Sequence, residues 1–326
     1  MMHLIVLFAL FYWTSTTIST TQPDKTDKYL KAYYWGVFLI LGVFGVWQMV
    51  SSVTGIWCPE VATRGDAYFA RDAGFRRLTS LADEPSFLVP FLIEGILLSL
   101  YLKNYIISTI LLLLLLFSFS LGGYAELAML FAAGLYFSDN KTRTRGIACV
   151  VFFVCLLFII YPELFDIISF FLSERKELQS GFKAADTGRT LTYTYPLISF
   201  INSDVGTMLF GHGPASFKYL MTTVGLGNMF TSSNNMYIDV LYEGGIVSIV
   251  CIMALLIYSW KKITRLVTNY NRKDSIIVKL FFLHILLSSC YRGDYSSPRF
   301  ISMFLILICF YKSLKFKNLH YSTVKA

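Results

Sequence analysis

Charge is scarce in this chain of 326 residues. Only 15% of them are Asp, Glu, Lys or Arg, against a hydrophobic fraction of 56% and a mean hydropathy of +0.59. A water-soluble globule of that composition would expose far more apolar surface than soluble proteins tolerate, so the bilayer is the expected solvent. Ordered cysteine chemistry is also missing. Cys149, Cys155, Cys251 and Cys309 lie inside apolar runs, Cys58 and Cys290 near segment ends, and no CxxC or Cys/His ligand spacing occurs. Neither a metal nor a disulfide framework is therefore expected. The net charge of +8 falls in short clusters between apolar runs and forms no recognition module, which argues against nucleic acid as a partner. No internal repeat, Gly/Ser linker or soluble-domain boundary is legible, and residues 1–326 read as a single membrane domain. The first apolar stretch lacks a basic n-region and a small-residue cleavage site, so it reads as a spanning or interfacial helix and not a removed signal peptide.

Long apolar runs are what the chain has in abundance. A helix needs roughly 17 to 25 mostly apolar residues to cross the hydrocarbon, and about nine stretches qualify. They lie near 3–21, 33–54, 86–102, 105–121, 122–138, 146–170, 236–259, 275–290 and 299–314. The expected fold is all-α and polytopic. If the helices alternate, the clusters Lys25/Lys28/Lys31, Lys141/Arg143/Arg145, Lys261/Lys262/Arg265/Arg272/Lys273 and Lys312/Lys315/Lys317 fall on one side, which the positive-inside bias assigns to the cytoplasm. That leaves the amino terminus outside, an unusual arrangement from which the expectation is either that the first helix does not fully span or that the chain lacks an upstream segment.

Two long connections face the other side: a first outer loop at 55–85 and a large outer loop at 171–235. Connections of that length usually carry function or disorder, and these hold Gly, Trp, Tyr and Arg without low complexity. The first contains Arg64, Arg71, Arg76 and Arg77 on the face where the charge bias disfavours them. Guanidinium groups grip phosphate oxygens in a two-pronged fork, so Arg76 and Arg77 are candidate phosphate ligands. Pairing with Asp66, Asp72, Asp83 and Glu84, or with anionic lipid, is the plainer alternative. Glu84 stands just before Pro85 at the mouth of a helix, where capping alone would account for it.

In the large loop Arg189 follows Gly188 at the head of an amphipathic stretch. Gly211 and Gly213 flank His212 in "GHGPASF", which reads either as a tight turn with an exposed histidine or as a close backbone approach with an acid/base group. Asn235, Asp239 and Glu243 recur at i, i+4 and i+8 on the first turns of an apolar helix. An intramembrane polar stripe of this kind suggests a site, whereas Asn235 as a helix cap with Asp239 at headgroup level is the structural alternative. Gly244-Gly245 would let a neighbouring helix pack closely. In Tyr291-Arg292-Gly293-Asp294-Tyr295, Arg292 offers another phosphate contact or pairs with Asp294.

The order of these pieces resembles the Wzy-type O-antigen polymerase and O-antigen ligase superfamily. The likeness runs from "FRRLTSLADEPSFLVPFL" through "SLGGYAELAML" to Gly188-Arg189, Gly211-x-Gly213 and Asn234-Asn235…Glu243-x-Gly245. Ligases resemble a pattern with His before Asn at the start of the helix after the large loop; here Asn234 stands at that place, which favours a polymerase. The resemblance implies transfer of a glycan from undecaprenyl diphosphate to a sugar hydroxyl on a second lipid-linked repeat unit, at the periplasmic face of a bacterial inner membrane. It implies Arg189, then Arg76, Arg77 and Arg292, as ligands of the diphosphate, and Glu243, Asp239 or His212 as the base. Glu84, Gly211, Gly213, Asn234 and Asn235 would position glycan or loop. No cofactor is expected because the leaving diphosphate supplies the driving force. The expected partners are the lipid-linked repeat units, membrane lipid and, with less to indicate it, a chain-length regulator protein. An O-antigen ligase, or a transporter or flippase for the same lipid-linked sugar, is the alternative. A transporter should show inverted repeats and helices broken near their middle, and the sequence reveals neither.

Overall fold

The computed structural model describes residues 12–18, 20, 23–59, 78–82, 85–148, 188–225, 232–267, 272–292 and 298–325. Among the described residues the regular structure is helical throughout, with no strand. The expected spans near 3–21 and 146–170 lie largely outside them. The other expected spans form helices α1 (Pro23–Gly36), α2 (Val43–Thr54), α3 (Pro85–Tyr101), α4 (Tyr105–Phe117), α5 (Leu121–Phe137), and, later in the chain, Met236–Val267, Arg272–Arg292 and Pro298–Lys325. A π-helical turn, Val37–Gly42, joins α1 to α2. Three helical stretches are long and apolar enough to cross a membrane: Lys25–Thr54, Met236–Arg265 and Asp274–Tyr291. The helices α3, α4 and α5 are apolar but shorter.

The chain divides into two compact units. Unit 1 comprises residues 1–131 and 252–326, and unit 2 comprises residues 132–251. At the centre of unit 1 stands α3, with Leu88, Val89, Leu92 and Leu98 fully buried. A helix that is apolar all round has to be enclosed by others, and α3 packs against α4, α1, the π turn and the Arg272–Arg292 helix. In lipid these contacts hold through close packing, because a leucine gains little by leaving acyl chains for protein. Outward on the Lys25–Thr54 helix, Leu39, Ile40, Val43, Trp47 and Val50 form an exposed stripe of the kind lipid covers.

The end of the first outer loop departs from the expected loop character. Leu78, Thr79 and Ser80 are buried in unit 1. Gln48 accepts from the amides of Thr79 (3.1 Å) and Ser80 (2.8 Å) and donates to the Thr79 hydroxyl (3.2 Å). The Ser80 hydroxyl donates to the Leu41 carbonyl at 2.8 Å, on the π turn, where the irregular helix ladder leaves room for an outside donor. Opposite, Asp27 of α1 accepts from Ser313 (2.7 Å), which also lies 3.1 Å from the Tyr101 hydroxyl, and Lys262 sits 5.0 Å from the Tyr311 ring centre. The basic clusters around Lys28, Lys262 and Lys312 thus share one end of unit 1. Asp27 and Gln48 are separated by about 30 Å of helix, roughly the hydrocarbon thickness.

In unit 2 the region expected as a large outer loop folds into further helices. With the chain-order labels continued, these are α6 (Gly188–Ile201), α7 (Val205–Phe210) and α8 (Ser216–Thr223), followed by α9 (Met236–Val267), α10 (Arg272–Arg292) and α11 (Pro298–Lys325). Phe200, Phe217, Met221 and Tyr242 make a core shared by α6, α8 and the first turns of α9, with Met208, Leu220 and Leu241 packed against it. A short helix with polar ends needs its caps. Asp204 supplies that of α7, accepting from the Thr207 amide (3.1 Å) and hydroxyl (2.6 Å).

Candidate functional site

The glycine turn at 211–213 and the first turns of α9 form one structure. Gly211 adopts φ +78°, and a Cβ there would stand 2.3 Å from the Glu243 carbonyl. Gly245 interrupts α9 with φ 70° and ψ −172°, and a Cβ there would stand 2.3 Å from the Leu209 carbonyl oxygen. Two backbones therefore meet with no room for a side chain on either, and both conformations suit glycine alone. The carbonyls of Tyr242 and Glu243, just before the break, accept from His212 N (3.0 Å) and Gly213 N (2.9 Å). Gly245 allows the close approach of a neighbouring helix expected of the glycine pair, here the end of α7 with the turn that follows it. One correction follows: an apolar helix is broken at Gly245, which the sequence did not reveal.

His212 is held on three sides. Its ring stacks on Tyr242 with centroids 4.2 Å apart and planes 15° from parallel. Nδ1 lies 3.2 Å from the Tyr242 carbonyl and Nε2 lies 3.1 Å from the Ser203 hydroxyl, which itself donates to Ser199 O at 2.7 Å. A carbonyl only accepts, so Nδ1 carries a proton, and the neutral ring turns Nε2 to the hydroxyl as an acceptor. When Nε2 gains a proton it donates to Ser203, whose own hydrogen then belongs to Ser199. The partners accommodate both states, as a proton-transferring group requires.

The stripe Asn235, Asp239 and Glu243 turns toward the backbone that precedes α9. Asn235 caps the helix, its Oδ1 accepting from Tyr237 N (3.0 Å) and Ile238 N (3.3 Å). Asp239 is 3% exposed and accepts from Ser233 N at 2.9 Å. Glu243 accepts from Phe217 N (3.3 Å) at the positive end of α8. Asn234 bridges the entry in a left-handed conformation, φ 59°. The cap expected as the structural alternative for Asn235 is what forms.

Arg189 occupies the first turn of α6, and Arg292 ends α10; the side chains of both lie outside the described part. Arg76, Arg77 and Glu84 lie outside the described residues altogether. Among the described residues no group of His, Cys, Asp and Glu is arranged to hold a metal ion.

The sequence reading passed over a second polar constellation, entirely within unit 1. Glu94 on α3, Glu126 on α5 and His284 on α10 are each fully buried. His284 Nδ1 lies 2.5 Å from Glu126 Oε1, and Nε2 lies 3.5 Å from Glu94 Oε1. The hydroxyl of Tyr33 donates to Glu94, and that of Tyr291 donates to Glu126 at 2.5 Å. Its signal was present: each of the three stands alone in an apolar run, "PFLIEGILL", "GGYAELAML" and "FFLHILL", where ionisable residues are costly and usually functional.

No family model matches the chain, and no curated protein or solved structure is significantly similar to it.

Proposed function

We propose that this chain polymerises undecaprenyl-diphosphate-linked oligosaccharide repeat units by glycosyl transfer at the extracytoplasmic face of a bacterial inner membrane, with no metal and no nucleotide. The observation that carries the reading is the junction of Gly211–Gly213 with Glu243–Gly245. Two pieces of the family resemblance, some 30 residues apart, hold each other by backbone hydrogen bonds. A motif pair that is one physical object is better support than two short strings in the right order.

In this reading His212 is the base, because Asp239 and Glu243 hold loop amides and so serve to position the turn. The acceptor hydroxyl gives its proton to His212 Nε2 by way of the Ser203 hydroxyl, and its oxygen attacks the anomeric carbon. The bond from that carbon to the diphosphate oxygen breaks, and its electron pair stays with the diphosphate. Arg189, with Arg76, Arg77 and Arg292, would meet the growing charge, which lowers the barrier more than it stabilises the bound substrate.

The break at Gly245 favours a second reading, a transporter of the same lipid-linked sugar, since transporters bind substrate at interrupted helices. Purified full-length protein given only defined lipid-linked repeat units separates the two. A ladder of longer glycans is the expected result. Unchanged repeat units, with their transfer across vesicle membranes, would replace the polymerase by the transporter.

A further inference from the structure

We propose that the array Tyr33–Glu94–His284–Glu126–Tyr291 in unit 1 is a proton relay, an activity separate from glycan transfer and independent of that reading. Four helices supply it: Tyr33 on α1, Glu94 on α3, Glu126 on α5, and both His284 and Tyr291 on α10. The three middle groups are fully buried, whereas the tyrosines at the two ends are partly exposed. Each link joins groups that both take and give a proton: phenol to carboxyl, carboxyl to imidazole, imidazole to carboxyl, carboxyl to phenol.

Charge argues in the same direction. With both carboxylates and the imidazolium ionised, the array carries one net negative charge at a depth where charge is strongly disfavoured. One further bound proton makes it neutral. A metal ion does not fit, because the two ring nitrogens of His284 face carboxylates on opposite sides and the three groups converge on no common point. Outside the five members, the Cys290 thiol feels the Glu126 charge but donates to Leu286 O and is exposed.

The transfer balances. A proton on Glu126, delivered through the Tyr291 hydroxyl, moves to His284 Nδ1 as Nε2–H passes to Glu94 Oε1, and Glu94 gives a proton through Tyr33. One proton enters and one leaves; no bond between heavy atoms changes and no oxidant is needed. The next cycle needs the bare Nε2 to take a proton from Glu126, so the ring turns about its Cβ–Cγ bond, gains that proton, and turns back as the imidazolium to present Nε2–H to Glu94 again. The 3.5 Å separation of His284 Nε2 from Glu94 Oε1 is longer than a good hydrogen bond and is where the relay is gated: the two must draw together by a few tenths of an ångström.

The test uses the full-length protein in sealed vesicles containing a pH-sensitive dye, with an imposed pH gradient and a potassium ionophore to clamp the voltage. Wild type is expected to dissipate the gradient faster than protein-free vesicles. Glu126→Gln and His284→Gln should fall to the protein-free rate, and Tyr33→Phe should be slowed. Wild-type decay no faster than that of empty vesicles would overturn the proposal. So would undiminished decay in Glu126→Gln, or a flux that requires Na+ and ignores the proton gradient. If the buried variants do not elute as monodisperse protein, Tyr33→Phe decides alone, because it removes one hydroxyl at the edge of the array; an unslowed Tyr33→Phe then rejects the relay.

Discussion

His284 and Glu126, 158 residues apart in the chain, meet at 2.5 Å between Nδ1 and Oε1, both fully buried. The Tyr291 hydroxyl depends on the same carboxylate through its second oxygen.

Replacing Glu126 by Leu removes the carboxylate that the buried His284 Nδ1 faces, and should cost about 3–5 kcal/mol of stability. Glu126→Gln retains an acceptor and should cost much less. Thermal unfolding of the detergent-purified variants makes the comparison; equal losses would mean that Glu126 contributes volume and not hydrogen bonding.

Gly211 and Gly213 both adopt positive φ, but only Gly211 has backbone in the way of a Cβ. Gly213→Ala should therefore show conformational strain alone, on the order of 1 kcal/mol. Gly211→Ala should separate the turn from α9 and abolish whatever activity unit 2 supports. Hydrogen exchange at the amides of His212 and Gly213 reads the junction directly. Protection retained in Gly211→Ala would contradict the geometry.

Asp204 has its carboxyl held below the usual Asp value, first by the Thr207 hydroxyl and then by the Thr207 amide. A depressed value in the folded state means that the cap's contribution is complete above the unfolded value and disappears as pH falls through the folded one. Exchange protection of residues 205–210 should accordingly be level at neutral pH and decline in acid. Asp204→Ala should show the low protection at every pH, while Asp204→Asn should retain part of it without the pH dependence.

Arg189→Ala should abolish long-chain glycan in a host lacking its own polymerase, and Arg189→Lys should restore little, because a point charge cannot reproduce the two-pronged grip on a diphosphate. Gel profiles of the surface glycan give the answer. Wild-type chain lengths in Arg189→Ala would remove that residue from the proposed chemistry.

Much of the helical layout was legible because runs such as Tyr105–Phe117 are apolar at nearly every position and end at clear signals, here Asn104, whose side chain accepts from Ile107 N. The helices α6, α7 and α8 within the described part of 171–235 were not legible because they are short and amphipathic, and stand by packing Phe200, Phe217 and Met221 around Tyr242. Local composition does not announce a core assembled from four separate pieces of chain. The plug at 78–80 escaped notice for a related reason: Thr79 and Ser80 read as loop residues until Gln48, some 30 residues earlier, is seen to take their amides. The cap at Asn235 was legible; the break at Gly245 was not, since a glycine pair on a helix signals close packing as readily as interruption.

A helix interrupted by a glycine ordinarily swivels there. In α9 the residues before Gly245 are clasped by amides of the 211–213 turn, so that stretch has no freedom the turn does not share. The turn acts as a splint: a force that displaces it must also tilt the head of α9, and one cannot be remodelled while the other keeps its aim.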